Sequence, residues 1–159
     1  MDKLLKILSE NAPIDLEKVA KATKSSAKEV AKKLKDFEKS GVYHGCTAIL
    51  DDSAYDKEQV RALIEVRITP RREGGFDQVA RRIAKFPEVS DLALVSGSYD
   101  LLLTVRGSSL REVANFVAAK LATIDGVLST STSFQLKKYK ESGHMMEDDE
   151  EYERLKVCP

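Results

Sequence analysis

The sequence predicts an α+β protein in two parts, a helical N-terminal segment and a C-terminal segment in the order β-α-β, turn, β-α-β. Three observations predict it. Residues 2–40 place apolar side chains at helical spacing in three short stretches separated by stop and start signals. Ala62, Ile64, Val66 and Ile68 alternate with Leu63, Glu65, Arg67 and Thr69, the period of a strand. Two apolar runs, on either side of the polar break Gly97-Ser98-Tyr99-Asp100, read as a pair of buried strands joined by a turn.

In chain order, the first helix carries Leu4, Leu5, Ile7 and Leu8 and ends near Asn11-Ala12-Pro13, because proline cannot continue a helix. Asp15 is positioned to cap a second helix with Leu16, Val19 and Ala20 inward. Ser26-Ala27-Lys28-Glu29 fits the S-x-x-E capping box and starts a third, with Ala27, Val30, Ala31, Leu34 and Phe37 inward and Gly41 as its stop. A short β-like piece follows over 42–50, broken by Gly45. Three helices and a β-wing make a winged helix-turn-helix over residues 1–50.

Residues 51–60 are polar and form the natural linker. After the alternating strand, Pro70 to Gly75 form a loop. Phe76, Val79, Ala80 and Ile83 give a helix that stops before Pro87. The paired strands come next. Gly107-Ser108-Ser109 leads into a helix with Leu110, Val113, Ala114, Val117, Ala118 and Leu121 inward, closed by Gly126. The last strand runs from Val127 to about Tyr139. This order is a ferredoxin-like βαββαβ domain over 61–140. Right-handed crossovers put both helices on one sheet face. The bare face, with Leu63, Leu101 or Leu102, and Leu103 available to it, calls for a second copy of the chain. Residues 141–159 are an acidic tail with the block Glu147 to Glu151.

With 159 residues, 42% hydrophobic and 33% charged, the chain has room for two small packed domains. Its formal net charge is zero, so nucleic-acid binding requires a local basic face. No apolar run approaches the ~20 residues that span a membrane, and the charged start is not a signal peptide. Two cysteines in unrelated contexts, Cys46 and Cys158, read as reduced thiols of a cytoplasmic protein. His44 and His144 lie far apart and no zinc-ligand spacing occurs, so neither metal nor cofactor is expected. No P-loop, G-x-S-x-G, H-E-x-x-H or Cys-His pairing points to catalysis.

Three segments carry a family resemblance. Leu34 to Ile49 is similar to the pattern R-x-x-L-E-x-x-G-x-I-x-G-Y-x-A, Gly97-Ser98-Tyr99-Asp100 matches a G-x-Y-D turn, and the strand-helix order around that turn completes the set. Together they resemble the Lrp/AsnC feast-or-famine transcriptional regulators over residues 2–140. The resemblance implies DNA binding by the N-terminal domain. It also implies dimers that assemble to tetramers or octamers, and amino-acid effectors bound at contacts between sensing domains. The chain departs from the family in two places. Lys24-Ser25-Ser26 stands where Gly-hydrophobic-Ser is usual, and residues 1–60 contain no arginine.

On this reading Ser26, Ala27, Lys28, Glu29, Lys32, Lys33 and Lys35 face double-stranded DNA. Ala27, Lys28, Glu29 and Lys32 lie nearest the bases, and the lysines, with Lys39, meet phosphates. The bland reading is a solvated lysine-rich face. Gly97, Ser98, Tyr99 and Asp100, with Thr130 and Thr132, are the expected effector site. Gly97 supplies a backbone conformation that other residues avoid, Tyr99 a hydroxyl and a flat wall, and Asp100 an acceptor for an ammonium. Arg71 and Arg72 are candidates for a carboxylate. The competing readings are a tight hairpin with a packed tyrosine and an ordinary β-favouring strand. The expected protein is therefore an amino-acid-responsive DNA-binding regulator. Its alternative is a sensor or assembly module whose degenerate helix-turn-helix no longer binds DNA specifically.

Overall fold

Side-chain caps set the helix starts of the N-terminal part. The structure, a computed structural model, describes residues 2–10, 13–50, 59–69 and 75–146 and divides into two compact units, Met1–Ile49 and Leu50–Pro159. In the first, α1 (Lys3–Glu10) begins where the Asp2 carboxylate accepts the Leu4 N–H at 2.9 Å. Helix α2 (Leu16–Thr23) is capped by Asp15, which accepts the Glu17 and Lys18 N–H groups at 2.9 and 3.3 Å. Helix α3 (Ala27–Lys39) is capped by Ser26. Leu4, Val19, Ala20 and Val30 form the buried centre, with Ile7, Leu8, Ile14, Ala27 and Phe37 packed on it.

Leu16, expected inward, is 36% exposed. It occupies the first helical position, and Ile14 before the cap packs on the Val19 cluster instead, the arrangement of a hydrophobic staple. Ala31 and Leu34 are half-buried and lie outside that cluster. The expected β-wing does not form: residues 43–50 hold no strand. The N–H groups of Val42 and Tyr43 both turn back to the Phe37 carbonyl at 2.9 and 3.1 Å, which closes α3, and Gly45 has φ +118°. A strand needs a ladder partner, and the described residues offer this segment none.

The second unit contains β1 (Val60–Ile68), α4 (Asp77–Ile83), β2 (Val89–Leu94), β3 (Leu101–Gly107), α5 (Leu110–Phe116) and β4 (Val127–Phe134). Helix α5 runs on through a π-helical turn, Val117–Leu121. A small hairpin follows, β5 (Lys140–Glu141) and β6 (His144–Met145). The main sheet has the order β2-β3-β1-β4, with every neighbour antiparallel. Cross-strand partners share a face. Ile64 pairs with Leu103 and Thr132, and Val66 with Leu101 and Thr130. That face meets Val79 and Ile83 of α4, Val113 and Phe116 of α5, then Leu121 and Ile124, in one core. Ile64, Leu101 and Leu103 are fully buried there, each stabilising by about 1.5–3 kcal/mol relative to exposure.

Leu101 and Leu103 therefore belong to the core, not to the bare face. The opposite face carries Leu63 and Leu102 together with Arg61, Glu65, Arg67, Thr104, Arg106 and the hydroxyls of Ser129, Ser131 and Ser133. The α5 stripe also differs from expectation. Leu110 is 57% exposed, Ala114 and Ala118 are exposed, and Phe116 is buried. The last strand stops at Phe134, short of Tyr139. The expected linker over 51–58, the loop residues 70–74 and the tail from 147 lie outside the described residues. No described helix is long and apolar enough to cross a membrane.

Candidate functional site

Two surfaces hold the sequence-predicted residues, one in each unit. The first is α3. Its start is the capping box read from the sequence: the Glu29 N–H donates to Ser26 Oγ at 3.2 Å, and Glu29 Oε2 accepts from the Ser26 N–H and hydroxyl at 2.8 and 2.9 Å. The backbone N–H of Ser26, and then its hydroxyl, hold the Glu29 carboxyl below the usual glutamate range. Glu29 is thus committed to the cap. Lys28, Lys32, Lys35 and Lys39 are all exposed and follow one another at steps of four, three and four. At 3.6 residues per turn this stripe lies on the side of α3 opposite the buried Val30. Ala27 is half-buried against the core. Lys33 stands apart from the stripe: its ammonium meets the Asp2 carboxylate at 2.6 Å.

The turn that presents α3 is a Schellman closure of α2. The Ser25 N–H reaches the Ala20 carbonyl at 3.0 Å and the Lys24 N–H the Lys21 carbonyl at 3.4 Å. Lys24 takes the left-handed conformation, φ 55° and ψ 39°, that glycine usually fills there.

The second surface is the end of the sheet at residues 96–100. The Asp100 N–H donates to the Val66 carbonyl at 3.0 Å, its Oδ2 accepts the Ile68 N–H at 2.8 Å, and the Val95 N–H donates to the Asp100 carbonyl at 2.9 Å. Arg67 Nε donates to the Ser98 carbonyl at 2.6 Å. The turn is therefore sewn to β1 where β1 ends. Oδ1 of Asp100 makes no hydrogen bond among the described residues. Tyr99 is half-buried, and Gly97 and Ser98 are exposed.

Gly97 does not have the unusual backbone expected of it: its φ is outside the left-handed region, and a Cβ there would meet nothing within 4 Å. Nothing in the described fold requires a glycine at this position. Thr130 and Thr132 are half-buried on the helix-covered face, and Thr132 pairs with Ile64, four residues or about 13 Å along β1 from Ile68. The turn's neighbour across β1 is Ser129, opposite Arg67. Arg67 and Ser129 are the residues that sequence reasoning missed. Their signal was alternation, which places them on the polar face of their strands. Arg71 and Arg72 lie outside the described residues. Among the described residues no group of three or more His, Cys, Asp or Glu side chains is placed to hold a metal.

Comparisons with known proteins point to one family. The family model for the Lrp/AsnC ligand binding domain matches residues 61–145. Over 158 residues the chain is 43% identical to the uncharacterized HTH-type transcriptional regulator YugG of Bacillus subtilis, covering 99% of this chain and 95% of that one. It is 29% identical over 140 residues to the HTH-type transcriptional regulator FL11 of Pyrococcus horikoshii, 88% of this chain and 89% of that one. Among solved structures, the transcriptional regulator NMB0573 of Neisseria meningitidis, crystallised as a complex with L-Met, is similar with a TM-score of 0.65 at 25% identity, covering 89% of this chain and 93% of that chain.

Proposed function

Because the chain belongs to the Lrp/AsnC family of transcriptional regulators, we propose that α3 binds double-stranded DNA and that the turn at 97–100 senses an amino acid or a related small metabolite. The relatives are transcriptional regulators, not enzymes. In this reading the first unit is a helix-turn-helix and the second a ferredoxin-like βαββαβ sensing domain, acting in the cytoplasm. The observation that carries the DNA half is the exposed stripe Lys28, Lys32, Lys35 and Lys39 on a capped helix, opposite its buried face. Four ammonium groups at helical spacing suit phosphates, and phosphate contacts give salt-dependent affinity. With Ser26 and Glu29 both engaged in the cap, Lys28 and Lys32, near the N-terminal end of α3, are its candidates for reading bases.

On the effector half, Asp100 Oδ1 receives the ammonium and Arg67, beside it, receives the carboxylate of the same small molecule. The complex of the Neisseria protein with L-Met supports an amino acid as the class. Ser98, Tyr99 and Gly97 line the approach, and Thr130 and Thr132 shape the strand behind it. The open sheet face takes a second copy of the chain, and dimers assemble further to tetramers or octamers. An effector that binds one assembly better than another shifts the population toward it, and with it the spacing of the DNA-binding units.

Footprinting on the chain's own upstream DNA, repeated with each amino acid and across salt, tests both halves. Protection that weakens with salt and changes with one amino acid is the expected result. No protection at low salt removes the DNA role, and indifference to every amino acid removes the sensing role. A second reading, a sensor whose helix-turn-helix has lost specific DNA binding, is favoured by one observation: Lys24 holds a left-handed turn position without glycine. Reversing the charge of Lys28 and Lys32 separates the two. It abolishes DNA binding and spares assembly and ligand binding if the first reading holds.

A further inference from the structure

Five lysines project from α3, and the structure does not treat them alike. Lys28, Lys32, Lys35 and Lys39 form the stripe opposite Val30, whereas Lys33 lies off it, on the flank toward α1. There Lys33 Nζ sits 2.6 Å from Asp2 Oδ2 and 5.9 Å from the centre of the Phe37 ring. Asp2 is itself fixed, because its other oxygen, Oδ1, accepts the Leu4 N–H at 2.9 Å and so caps α1. Asp2 and Lys33 both line a cleft of about 290 Å³ with Leu4, Thr23, Ser25 and Val30. The hydrogen bond from Lys33 is the first cause, and the Leu4 N–H the second, holding the Asp2 carboxyl below the usual aspartate range.

We infer that Asp2 is a positioning residue that withholds Lys33 from DNA, clamping α3 to the start of α1 and leaving the four-lysine stripe as the phosphate-binding set. This rests on the DNA-binding reading above. The physical argument is one of competition. Moving Lys33 to a phosphate would strip the Asp2 carboxylate of its ammonium while its other oxygen stays tied to α1. It would also take the Lys33 cation off the Phe37 ring. Each lysine that meets a phosphate adds about 0.9 to the slope of log affinity against log salt. The number of lysines in use is therefore countable.

The test measures that slope for the full chain on its own upstream DNA. Asp2→Asn removes the charge and keeps a good helix cap. Lys33→Gln is expected to leave the slope unchanged, while Lys32→Gln flattens it by about 0.9 for each copy of α3 on the DNA. Asp2→Asn is expected to release Lys33 and steepen the slope by about the same amount. The double variant Asp2→Asn, Lys33→Gln should return to the wild-type slope. Thermal unfolding of each variant checks that the unit remains folded. A Lys33→Gln slope that falls as far as that of Lys32→Gln overturns the inference alone, as does an unchanged slope for Asp2→Asn. A wild-type chain that binds no DNA at low salt overturns the DNA reading and this inference with it.

Discussion

Replacing Lys24 with glycine probes the turn between α2 and α3, where this chain departs from its family. Lys24 has φ 55° and ψ 39° and is exposed, outside the buried cluster of its unit, so removing its side chain takes nothing from that core. A left-handed backbone costs a residue with a Cβ about 1–2 kcal/mol. Glycine escapes that cost but gives up about 0.5–1 kcal/mol more chain entropy on folding. The balance leaves Lys24→Gly more stable by about 0.5–1 kcal/mol. For a cooperative unit the size of Met1–Ile49, that corresponds to a rise of about 5–10 °C in its transition. Lys24→Ala keeps the strain and serves as the control. The assay is thermal unfolding followed by helical circular dichroism, with hydrogen exchange of the α2 and α3 amides to assign the change to this unit. Equal stability of the alanine and glycine variants, or a loss of stability in Lys24→Gly, would refute the argument from backbone strain.

Acid should loosen α3 first at its start. The Glu29 carboxyl is held below its ordinary pKa of about 4.3. Its contribution is therefore complete above that value and is lost as pH falls through the lower folded one. Ser26→Ala should cost about 1 kcal/mol at neutral pH and flatten the acid response, read by hydrogen exchange at Val30 and Ala31. At the sheet end, Asp100→Ala leaves the Ile68 N–H without its acceptor and should destabilise by about 1–3 kcal/mol. Asp100→Asn retains an oxygen for that N–H while removing the charge, so it should fold near normally and lose the amino-acid-induced rise in melting temperature. A persisting rise would remove Asp100 from the effector site. Gly97→Ala should not lower the melting temperature, since its Cβ meets nothing. It should weaken the effector response if the glycine admits the ligand.

How legible each part was in the sequence follows from local periodicity. β1 was plain, because Ala62, Ile64, Val66 and Ile68 alternate cleanly and all four are buried. β3 was not: the run Leu101-Leu102-Leu103 has no alternation, so its parity was fixed only by pairing Leu101 with Val66 and Leu103 with Ile64. A one-residue slip sends every side chain to the other face. α5 was read with an unbroken helical period. The buried positions Val113, Phe116, Leu121 and Ile124 keep that period, but apolar residues spread over more of the helix than is buried, so spacing alone did not choose Phe116 over the exposed Ala114 and Ala118. The caps at Asp15 and Ser26 were readable because they are local. The Asp2–Lys33 pair was not, because it joins residues far apart in sequence. Arg67 was hidden for the same reason, since its partner, the Ser98 carbonyl, lies 31 residues away.

The absence of arginine from residues 1–60 bears on why assembly would matter to this chain. Residues 1–50 hold ten lysines against seven carboxylates, an excess of three positive charges, while the whole chain is neutral. Lysine is a point charge that grips a phosphate well, but it lacks the planar fork with which arginine reads guanine. If α3 is the DNA-binding helix, as proposed, one copy of it would supply affinity that salt erodes and little discrimination between sequences. Joining copies changes this, because a second α3 then binds at the effective concentration set by the assembly, which favours DNA with two sites at the matching spacing. On the proposed reading, specificity resides in the geometry of the assembly more than in any single helix. An effector bound at the Asp100 turn would then act on DNA recognition without touching α3. The reading requires that a variant confined to one copy lose sequence preference far more than low-salt affinity. Equal losses of both would place the discrimination back in α3 itself.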